Sequence, residues 1–340
     1  MKVQPIQGGN VSVHDKSEKM KAAVRSNYGL PGDLTVKDLG MPTPKEDEVL
    51  IRVHATTVNR SDCHVLSGKP FLMRLFTRLF KPRASIIGSD FTGEIAATGS
   101  FVQSFKPGDK IMGFNGAFGC GSHSQYFTLP EKKASKIIVP MPGNMSYDEA
   151  AACLEGAFYA SWIVKLKPKA GQKALVYGAT GAIGSAYVQF LHSYGVYITA
   201  VCGAENTELV KSLGANKVID YKNNDFTKDD EQYDFVLDGV GKTSFIQCKK
   251  LLKQKGVFSS SNGAINLLWA LTTPLFGGKK VAFPAGLTIK AGLSFIKGLV
   301  EKGKFKPVID RKYPLDKIAE AYVYVASGQK IGNVIITMDN

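Results

Sequence analysis

Apolar and polar positions alternate over short stretches in the first part of the chain. The segments with this pattern are Lys21–Arg25, Leu34–Asp38, Glu48–Val58, Ile87–Ala97, Lys110–Phe114 and Ser124–Leu129. Turn sequences such as Pro42-Thr43-Pro44 separate them, and residues 140–146 have the composition of a linker. Short strands separated by turns predict a partly open β-barrel domain rather than a helical bundle.

The pattern changes after residue 147, where helices and strands alternate. A helical segment, Tyr147–Leu166, leads into a buried strand, Ala174–Tyr177, and a helix, Ser185–Tyr194. Further predicted elements are the strands Val196–Val201, Lys217–Asp220, Asp234–Asp238 and Gly256–Ser260 and the helices Asn206–Leu213 and Lys242–Lys253. This alternation predicts an α/β domain, a doubly wound parallel sheet with helices on both faces.

The chain after about Pro284 contains more elements than such a sheet needs. They are the helix Ile289–Lys302, the strand Val308–Tyr313, the helix Leu315–Ser327 and the strand Asn333–Met338. We expect them to return to the first domain. The predicted organisation is a flexible extension at residues 1–19, a barrel domain at 20–146 completed by 285–340, and a nucleotide-binding domain at 147–284.

A glycine-rich corner, Gly178-Ala179-Thr180-Gly181-Ala182-Ile183-Gly184, joins the strand Ala174–Tyr177 to its helix. In such corners the first glycine permits the turn, the second lets backbone approach a pyrophosphate, and the third lets the helix pack closely. The phosphates bind unpaired N–H groups at the helix N-terminus. A purely structural βα turn also explains the glycines, but the second strand at βαβ spacing favours dinucleotide binding.

Composition and charge narrow the class of protein. At 340 residues, 44% apolar and 21% charged, the chain fits a soluble two-domain globular protein. Its longest apolar run, residues 264–276, is shorter than the roughly 20 residues needed to cross a bilayer. The net charge of +14 suits either a polyanionic partner or a lysine-rich solvated surface. Because no nucleic-acid motif accompanies the charge, we expect no dedicated nucleic-acid partner.

The termini and cysteines bear on location. Residues 1–19 lack the apolar core of a signal peptide and the arginines of a transit peptide. The cysteines, Cys63, Cys120, Cys153, Cys202 and Cys248, are widely spaced and form no CxxC pair. This spacing favours a reducing setting, and we expect a cytoplasmic protein.

Several short motifs occur in a characteristic order. They are Met20-Lys21-Ala22-Ala23-Val24, Glu48-Val49-Leu50-Ile51, Val58-Asn59, Gly88-Ser89-Asp90-Phe91-Thr92-Gly93 and Gly108-Asp109, followed by the nucleotide corner. With them the chain resembles the medium-chain dehydrogenase/reductase superfamily, specifically its zinc-free quinone oxidoreductase and alkenal reductase branch. The resemblance implies a GroES-like barrel domain, a Rossmann domain and an active site between them.

The resemblance also bears on zinc. Zinc-dependent relatives have a cysteine where this chain has Asn59 and a histidine where it has Ser89, and their third ligand falls near Glu155. An amide and a hydroxyl do not replace a thiolate and an imidazole, and the four-cysteine structural lobe is missing. We therefore expect no metal.

NADPH is the expected coenzyme. The strand that ends at Cys202-Gly203 has no acid at its turn, and Asn206 and Lys211 lie nearby, whereas NAD-selective sites usually place a carboxylate there. Glu205 argues against this preference, unless it is a solvated residue at the start of the next helix.

Other coenzyme contacts follow from the resemblance and from the sheet. Tyr221 matches a position on the adenosine side in relatives, or is simply a strand-end aromatic. Val240-Gly241 and Ser261-Asn262-Gly263 follow parallel strands, where ligands of open sheets bind, although turn chemistry also explains them. The full expected set is Asn59, Gly178, Ala179, Thr180, Gly181, Ala182, Ile183, Cys202, Gly203, Asn206, Lys211, Tyr221, Val240, Gly241, Ser261, Asn262 and Asn333.

Asn59, Ser61 and His64 form the expected catalytic group. Relatives with a Val-Asn pair use the asparagine amide near the nicotinamide or the substrate carbonyl. Ser61 and His64 coincide with the proton relay of zinc alcohol dehydrogenases, and a hydroxyl and an imidazole at i, i+3 can pass a proton to an enolate. Equally, His64 is explained as a half-buried surface histidine.

The expected chemistry follows from the missing metal. A conjugated enone has an electrophilic β-carbon, so losing a Lewis acid costs its reduction less than that of a plain ketone. We expect a monomeric or homodimeric reductase that transfers hydride from NADPH to a small enal, enone or quinone. The alternatives are a metal-free NADP-dependent alcohol dehydrogenase or aldehyde reductase, and a nucleotide-bound binding protein that uses its basic surface.

Residues 69–85 have an apolar stripe at helical spacing. Leu72, Leu75, Phe76, Leu79 and Phe80 form the stripe, and Arg74, Arg78 and Lys81 lie off it. A surface helix packed on the barrel, a lid over an apolar substrate, or a peripheral contact with an anionic membrane explains this pattern.

Overall fold

The computed structural model describes residues 18–69, 71, 74, 78–82, 85–116, 119–260, 264–276, 278–283 and 287–338. Its strands are β1 (Lys19–Val24), β2 (Thr35–Gly40), β3 (Glu48–Thr57), β4 (Asp90–Thr98), β5 (Lys110–Phe114), β6 (Tyr126–Pro130), β7 (Ile138–Pro140), β8 (Lys173–Tyr177), β9 (Tyr197–Cys202), β10 (Lys217–Asp220), β11 (Tyr233–Asp238), β12 (Leu252–Ser260), β13 (Lys280–Ala282), β14 (Ile309–Pro314) and β15 (Asn333–Thr337).

The α-helices within these ranges are α1 (Arg60–Ser67), α2 (Glu131–Ile137), α3 (Tyr147–Ala152), α4 (Glu155–Ser161), α5 (Ala182–Ser193), α6 (Thr207–Ser212), α7 (Phe245–Cys248), α8 (Ala264–Thr272), α9 (Ile289–Glu301) and α10 (Ile318–Ser327). Short 3-10 helices adjoin several of them, for example Trp162–Leu166 after α4. Over the described part of the chain, no helix is both long and apolar enough to span a bilayer.

Two sheets define the two lobes of the molecule. The first has the order β14-β15-β3-β4-β5-β7, with β6 also paired to β3. The second has the order β10-β9-β8-β11-β12-β13, and all of its strand pairs are parallel. That order, with its reversal between β8 and β11, is the doubly wound Rossmann arrangement. The predicted α/β fold class, a barrel domain joined to a Rossmann domain, is therefore confirmed.

The C-terminal elements divide between the lobes. Strand β15 pairs with β3, so the end of the chain joins the barrel sheet. Helix α9, in contrast, buries Leu293 and Ile296 in the core beneath the parallel sheet. Because α9 presents one apolar face, it packs where a matching apolar surface from α4 and α5 is available.

Local sequence explains where several elements begin and end. Ser146 and Glu149 form a capping box at α3, in which the Glu149 N–H donates to the Ser146 hydroxyl and the Ser146 N–H donates to the Glu149 carboxylate. The predicted helix Tyr147–Leu166 is broken at Leu154, whose φ of −92° and ψ of −99° are not helical. The predicted helix Lys242–Lys253 is shorter than expected, since strand β12 already begins at Leu252.

The apolar stripe of residues 69–85 lies largely outside the described residues, which exclude Leu72, Leu75 and Phe76. Arg78 has a φ of +82°, which a right-handed helix does not accommodate, and Leu79 and Phe80 are exposed beyond it in a bend. Leu79 and Phe80 therefore do not continue a helical stripe.

Backbone contacts connect the lobes next to the glycine corner. The Gly332 N–H donates to the carbonyl oxygen of Thr180 at 2.7 Å, and Gly181 and Gly332 form an isolated parallel bridge. The chain just before β15 thus crosses beside the nucleotide corner and brings barrel residues to its edge.

Candidate active site

The turn between β8 and α5 has the geometry of a dinucleotide corner. Gly178 has a φ of +71°, a conformation that L side chains rarely adopt. A Cβ on Gly184 would overlap the carbonyl oxygen of Gly178, so close packing of helix on strand requires glycine there. Helix α5 starts at Ala182, and its first N–H groups have no partner within the helix.

Gly181 differs from these two glycines. Its φ of −72° and ψ of 169° are open to any residue, and an added Cβ would meet nothing closer than the Gly178 oxygen at 3.5 Å. Neither backbone strain nor packing therefore explains a glycine at this position. Gly181 lines a cavity, so its missing side chain leaves room for a ligand against the helix N-terminus.

That cavity has a volume of about 430 Å³ and lies between the two lobes. It runs from the ends of β9 and β10 to the start of α1 and α4. Nine residues of the predicted coenzyme set line it, namely Asn59, Gly178, Thr180, Gly181, Ala182, Ile183, Cys202, Tyr221 and Val240. The size, the glycine corner and the free helix N–H groups suit a dinucleotide.

Other predicted coenzyme residues do not line the cavity. These are Ala179, Gly203, Asn206, Lys211, Gly241 and Asn333, while Ser261 and Asn262 lie outside the described residues. Asn333 is buried and donates through its side chain to the Val308 carbonyl oxygen, so it holds the chain crossing before β15. Gly241 belongs to a loop organised by Asp238, whose carboxylate accepts from the N–H groups of Val240, Gly241 and Thr243.

At the β9 end of the cavity an acid and a base face each other. Lys222 donates to the Glu205 carboxylate at 2.8 Å, and both side chains are more than half exposed. The Glu205 carboxylate lies against Gly203, because a Cβ there would be 2.6 Å from its oxygens. The acid weighed in the sequence thus stands beside the end of β9, neutralised by a lysine that the sequence reasoning did not select.

Asn59 lies at the opposite end of the cavity. Its side-chain nitrogen donates to the Thr57 hydroxyl at 2.6 Å and to an Asp90 carboxylate oxygen at 3.1 Å. Those two acceptors are 2.5 Å apart, so they lie on the same side of the amide nitrogen and one N–H can serve both. Among the described residues no other acceptor contacts this nitrogen, so its second N–H is available to a ligand in the cavity.

Ser61 and His64, the predicted relay, both lie on α1. The Ser61 hydroxyl donates to one carboxylate oxygen of Glu155 at 2.5 Å, and Ser89 donates to the other at 2.8 Å. Among the described residues, no hydrogen bond joins the His64 ring to Ser61, and His64 does not line the cavity. The hydroxyl of the predicted relay therefore points to Glu155.

Three buried carboxyl groups meet behind this end of the cavity. Burial is the main cause that raises the pKa of Asp90 to about 6 and that of Glu155 to about 7, against hydrogen bonds that favour the charged forms. Burial, together with repulsion from Glu155 and Asp90, raises the pKa of Asp62 well above its usual range. Asp62 and Glu155 therefore hold protons near neutrality, whereas Asp90 is largely ionised there.

Sequence reasoning missed several cavity residues near Asn59. Glu155 was considered only as a zinc-ligand position, and Tyr159 and Lys330 were not selected. All three line the cavity. Among the described residues the Tyr159 hydroxyl has no hydrogen-bond partner, while the Lys330 ammonium donates to the Gly332 carbonyl oxygen. The one available signal was Glu155, a charged residue in an otherwise apolar run, Ala150–Ala160.

The donor set does not fit a catalytic zinc ion. Zinc sites are built from thiolates, imidazoles and a few carboxylates, whereas Asn59 and Ser89 offer an amide and a hydroxyl. The His123 ring contacts the Thr57 carbonyl oxygen and the Tyr322 hydroxyl, and burial raises the pKa of the Cys120 thiol to about 12. Over the described residues no group of three His, Cys, Asp or Glu side chains is arranged to hold a metal.

A GroES-like barrel, a Rossmann sheet and a dinucleotide-sized cavity between them define a two-domain nicotinamide-coenzyme oxidoreductase. Family models agree with this class. Residues 45–142 match the alcohol dehydrogenase GroES-like domain, and residues 213–336 match the family described as zinc-binding dehydrogenase. The chain belongs to the medium-chain dehydrogenase/reductase superfamily, in its quinone oxidoreductase and alkenal reductase branch.

Similar proteins support this branch. The chain is 32% identical to a chloroplast envelope quinone oxidoreductase homolog of Arabidopsis thaliana, over 87% of this chain and 91% of that protein. It is 30% identical to the NADPH-dependent alkenal/one oxidoreductase of the same plant, over 94% of this chain and 80% of that protein. A quinone oxidoreductase of Coxiella burnetii shares the fold, with a TM-score of 0.83, 24% identity and coverage of 95% of this chain and 100% of that one. The predicted family and enzyme class are confirmed.

Proposed function

We propose that this protein reduces α,β-unsaturated carbonyls or quinones by hydride transfer from NADPH, without a metal ion. The observation that carries the proposal is one cavity that joins the glycine corner to Asn59, Glu155 and Tyr159, where zinc ligands are replaced by hydrogen-bonded polar groups. Relatives named as quinone, alkenal and 2-methylene-furan-3-one reductases support the substrate class.

The chemistry divides between coenzyme and protein. When bound along the corner, NADPH supplies a hydride to an electrophilic carbon. The protein's task is to hold the acceptor, to stabilise the negative charge that develops on its oxygen and to provide a proton. We assign the charge stabilisation to the free N–H of Asn59 and to the Tyr159 hydroxyl, which is an uncommitted donor in the cavity wall.

Zinc independence is part of the proposal and rests on the donor set. A conjugated acceptor needs less polarisation than an isolated ketone, so two neutral donors can replace a Lewis acid. Of the proton relay predicted from the sequence, Ser61 and His64, we retain only Ser61 in the proposed site. Its hydroxyl contacts Glu155 rather than the His64 ring.

The preference for NADPH over NADH is likewise proposed. Lys222, which follows β10, supplies positive charge near the β9 and β10 ends, where an adenosine 2′-phosphate is bound in this fold. Lys242, which follows β11, adds positive charge to the cavity lining. One relative carries NADPH in its name. Glu205 opposes this preference through its charge, and its ion pair with Lys222 weakens that opposition.

Location and assembly remain proposals as well. All five cysteines are free thiols, which supports a reducing compartment such as the cytoplasm. We retain a monomer or homodimer, to be measured by light scattering. Peripheral membrane contact through residues 69–85 is proposed only on their charge and apolar pattern, to be measured by vesicle flotation.

The test is an NADPH-oxidation screen of purified protein over enals, enones, quinones and simple aldehydes, with and without a chelator. We expect kcat/KM for conjugated acceptors to exceed that for matched saturated aldehydes by at least about 100-fold, a difference of about 2.7 kcal/mol in barrier. Chelation is expected to leave the rate unchanged. Turnover confined to simple aldehydes and lost on chelation would support the alcohol dehydrogenase alternative instead.

A further inference from the structure

The proposed reaction leaves the source of its proton unassigned. Hydride addition to the β-carbon of an enone breaks the C=C π bond and leaves an enolate with one negative charge. The saturated product forms only when a proton adds at the α-carbon, or at oxygen for a quinone. A protein group in contact with the substrate must therefore give up that proton, or water must.

We propose that the carboxyl group of Glu155 donates this proton directly to the reduced substrate, held in place by the hydroxyls of Ser61 and Ser89. This inference rests on the proposed function and names the acid of the same site. Of the described residues that line the cavity, Glu155 alone carries a carboxyl group. Both of its oxygens are fixed, at 2.5 Å from Ser61 and 2.8 Å from Ser89.

Packing places Glu155 beside the reaction centre. It is the first residue of α4, and α4 lies so close to α5 that a Cβ on Gly156 would be 2.6 Å from the Cβ of Ala182, the first residue of α5 within the glycine corner. Asn59, on the other side of the cavity, lines the same end. An acceptor held by Asn59 against a coenzyme on the corner therefore lies next to the Glu155 carboxyl.

The surroundings of Glu155 favour its protonated form near neutrality. Burial is the main cause that raises its pKa, and the negative charge of Asp90, at the start of β4, adds to this effect. Asp62, on α1, keeps its own proton because it is buried beside both acids. Lys330, from the chain before β15, acts on Glu155 in the opposite direction, while the Tyr159 and Tyr322 hydroxyls face the cluster uncharged. The resulting pKa of about 7 suits a general acid at physiological pH.

The other acids of the region suit the role less well. Asp62 and Asp90 are buried behind Asn59 and do not line the cavity. Burial raises the pKa of Tyr159 far above neutrality, so its hydroxyl is a hydrogen-bond donor but a weak acid. Lys330 reaches the cavity, but its ammonium is committed to the Gly332 carbonyl oxygen, and burial lowers its pKa to about 8.

The step balances in atoms and charge. The O–H bond of Glu155 breaks as the C–H bond at the α-carbon forms, which leaves the neutral product and a carboxylate. The carboxylate then recovers a proton from water at the mouth of the cleft. NADPH, one proton and the enone thus give NADP⁺ and the saturated carbonyl compound.

The experiment compares wild type, Glu155→Gln, Ser61→Ala and Lys330→Gln, with Ser67→Ala as a matched serine control on α1. For wild type we expect kcat with an enone to fall about tenfold per pH unit above pH 7, as a required acid is lost. Glu155→Gln should lower kcat about 100-fold with little change in KM and remove this decline. Ser61→Ala should move the decline to higher pH, because Ser61 stabilises the charged carboxylate.

A second readout needs no turnover. The infrared difference spectrum of coenzyme-free wild type between pH 6 and pH 9 should show the loss of a C=O stretch from a protonated carboxyl. The same difference spectrum of Glu155→Gln should lack this band. If Glu155→Gln kept the decline of kcat above pH 7, or if only Lys330→Gln removed it, the assignment of Glu155 would be overturned. Turnover of conjugated acceptors in those variants would still uphold the proposed function. Binding of NADPH without turnover of any acceptor would overturn the proposed function and the assignment with it, whatever the infrared result.

Discussion

At the scale of single residues, two glycines of the corner differ in why they lack a side chain: one for packing, the other for room beside the cavity. Gly184 has no side chain because the Gly178 carbonyl oxygen occupies the space that a Cβ needs. Gly181 has an ordinary extended backbone and open space beside it, and it faces the cavity. Two glycines three residues apart are therefore kept for different physical reasons.

This difference predicts opposite outcomes for two alanine variants. Gly181→Ala should leave the thermal midpoint nearly unchanged and raise the Kd for NADPH at least about tenfold, because the methyl group enters the space of the pyrophosphate. Gly184→Ala should instead destabilise the fold by about 1 to 3 kcal/mol through overpacking. Calorimetry and fluorescence titration measure both quantities. Destabilisation by Gly181→Ala with unaltered coenzyme affinity would show that its role is structural.

The contacts of Asn59 fit a site that works without zinc, as we propose. Thr57 and Asp90 accept from the Asn59 side chain and Asp62 accepts from its backbone N–H, so the amide is held in place. A fixed neutral donor in a buried site stabilises developing charge without reorganisation. Asp62 and Glu155 are compatible with burial because their raised pKa values let them retain protons, while Asp90 is stabilised by hydrogen bonds from Thr56, Thr57 and Asn59.

At the scale of elements, the carboxyl ends of β9 and β10 carry the charges that we expect to decide between NADPH and NADH. Glu205 follows β9 and Lys222 follows β10, and their ion pair spans the two strand ends. An adenosine 2′-phosphate bound there gains from the lysine and loses from the glutamate. We expect the balance of these two exposed charges to set the preference between NADPH and NADH.

Lys222→Gln should therefore weaken NADPH binding about tenfold and change the Kd for NADH much less. Lys228→Gln is the matched control, because Lys228 is also an exposed lysine near an acid, Asp225, but lies in the 3-10 helix Phe226–Lys228 rather than just after the end of β10. Isothermal titration with both coenzymes gives the four constants needed. Equal loss of affinity for NADPH and NADH in Lys222→Gln would contradict a 2′-phosphate role.

Elements were predictable from sequence where local pattern decides them. The strands at 110–114 and 217–220 occur with the predicted limits, and the glycine corner forms the expected turn. Helix α7 is shorter than predicted because the chain tightens into the 3-10 helix Lys249–Leu251 before β12 begins at Leu252, and the α3 to α4 break at Leu154 has no periodicity signal. Such boundaries depend on tertiary pairing rather than on propensity.

The candidate site was predictable only in part. The corner, Asn59 and Tyr221 follow from motif and resemblance, and they line the cavity. Glu155 is 94 positions from Ser61 and 66 positions from Ser89 in the sequence, so no local sequence pattern connects it to either serine. The Ser61 hydroxyl donates to Glu155 across the cleft and not to His64 on its own helix. The i, i+3 spacing of Ser61 and His64 does not predict this partner.

At the scale of the whole molecule, function depends on two lobes that meet at one cavity. The parallel sheet supplies the glycine corner and the ends of β9 and β10, while the barrel supplies Asn59 and the chain crossing at Gly332. The Gly332 to Thr180 hydrogen bond ties the C-terminal part of the barrel to the coenzyme corner itself. In the proposed reaction the acceptor lies between a coenzyme on one lobe and hydrogen-bond donors on the other.

The most direct measurement of the central claim is isotopic. Enzyme treated with chelator is given an enone and NADPH carrying deuterium at the transferred C4 position, and the product is analysed by NMR. The account predicts deuterium at the β-carbon of a saturated ketone and solvent hydrogen at the α-carbon. Deuterium on the carbinol carbon of an allylic alcohol, or transfer that requires added zinc, would contradict it.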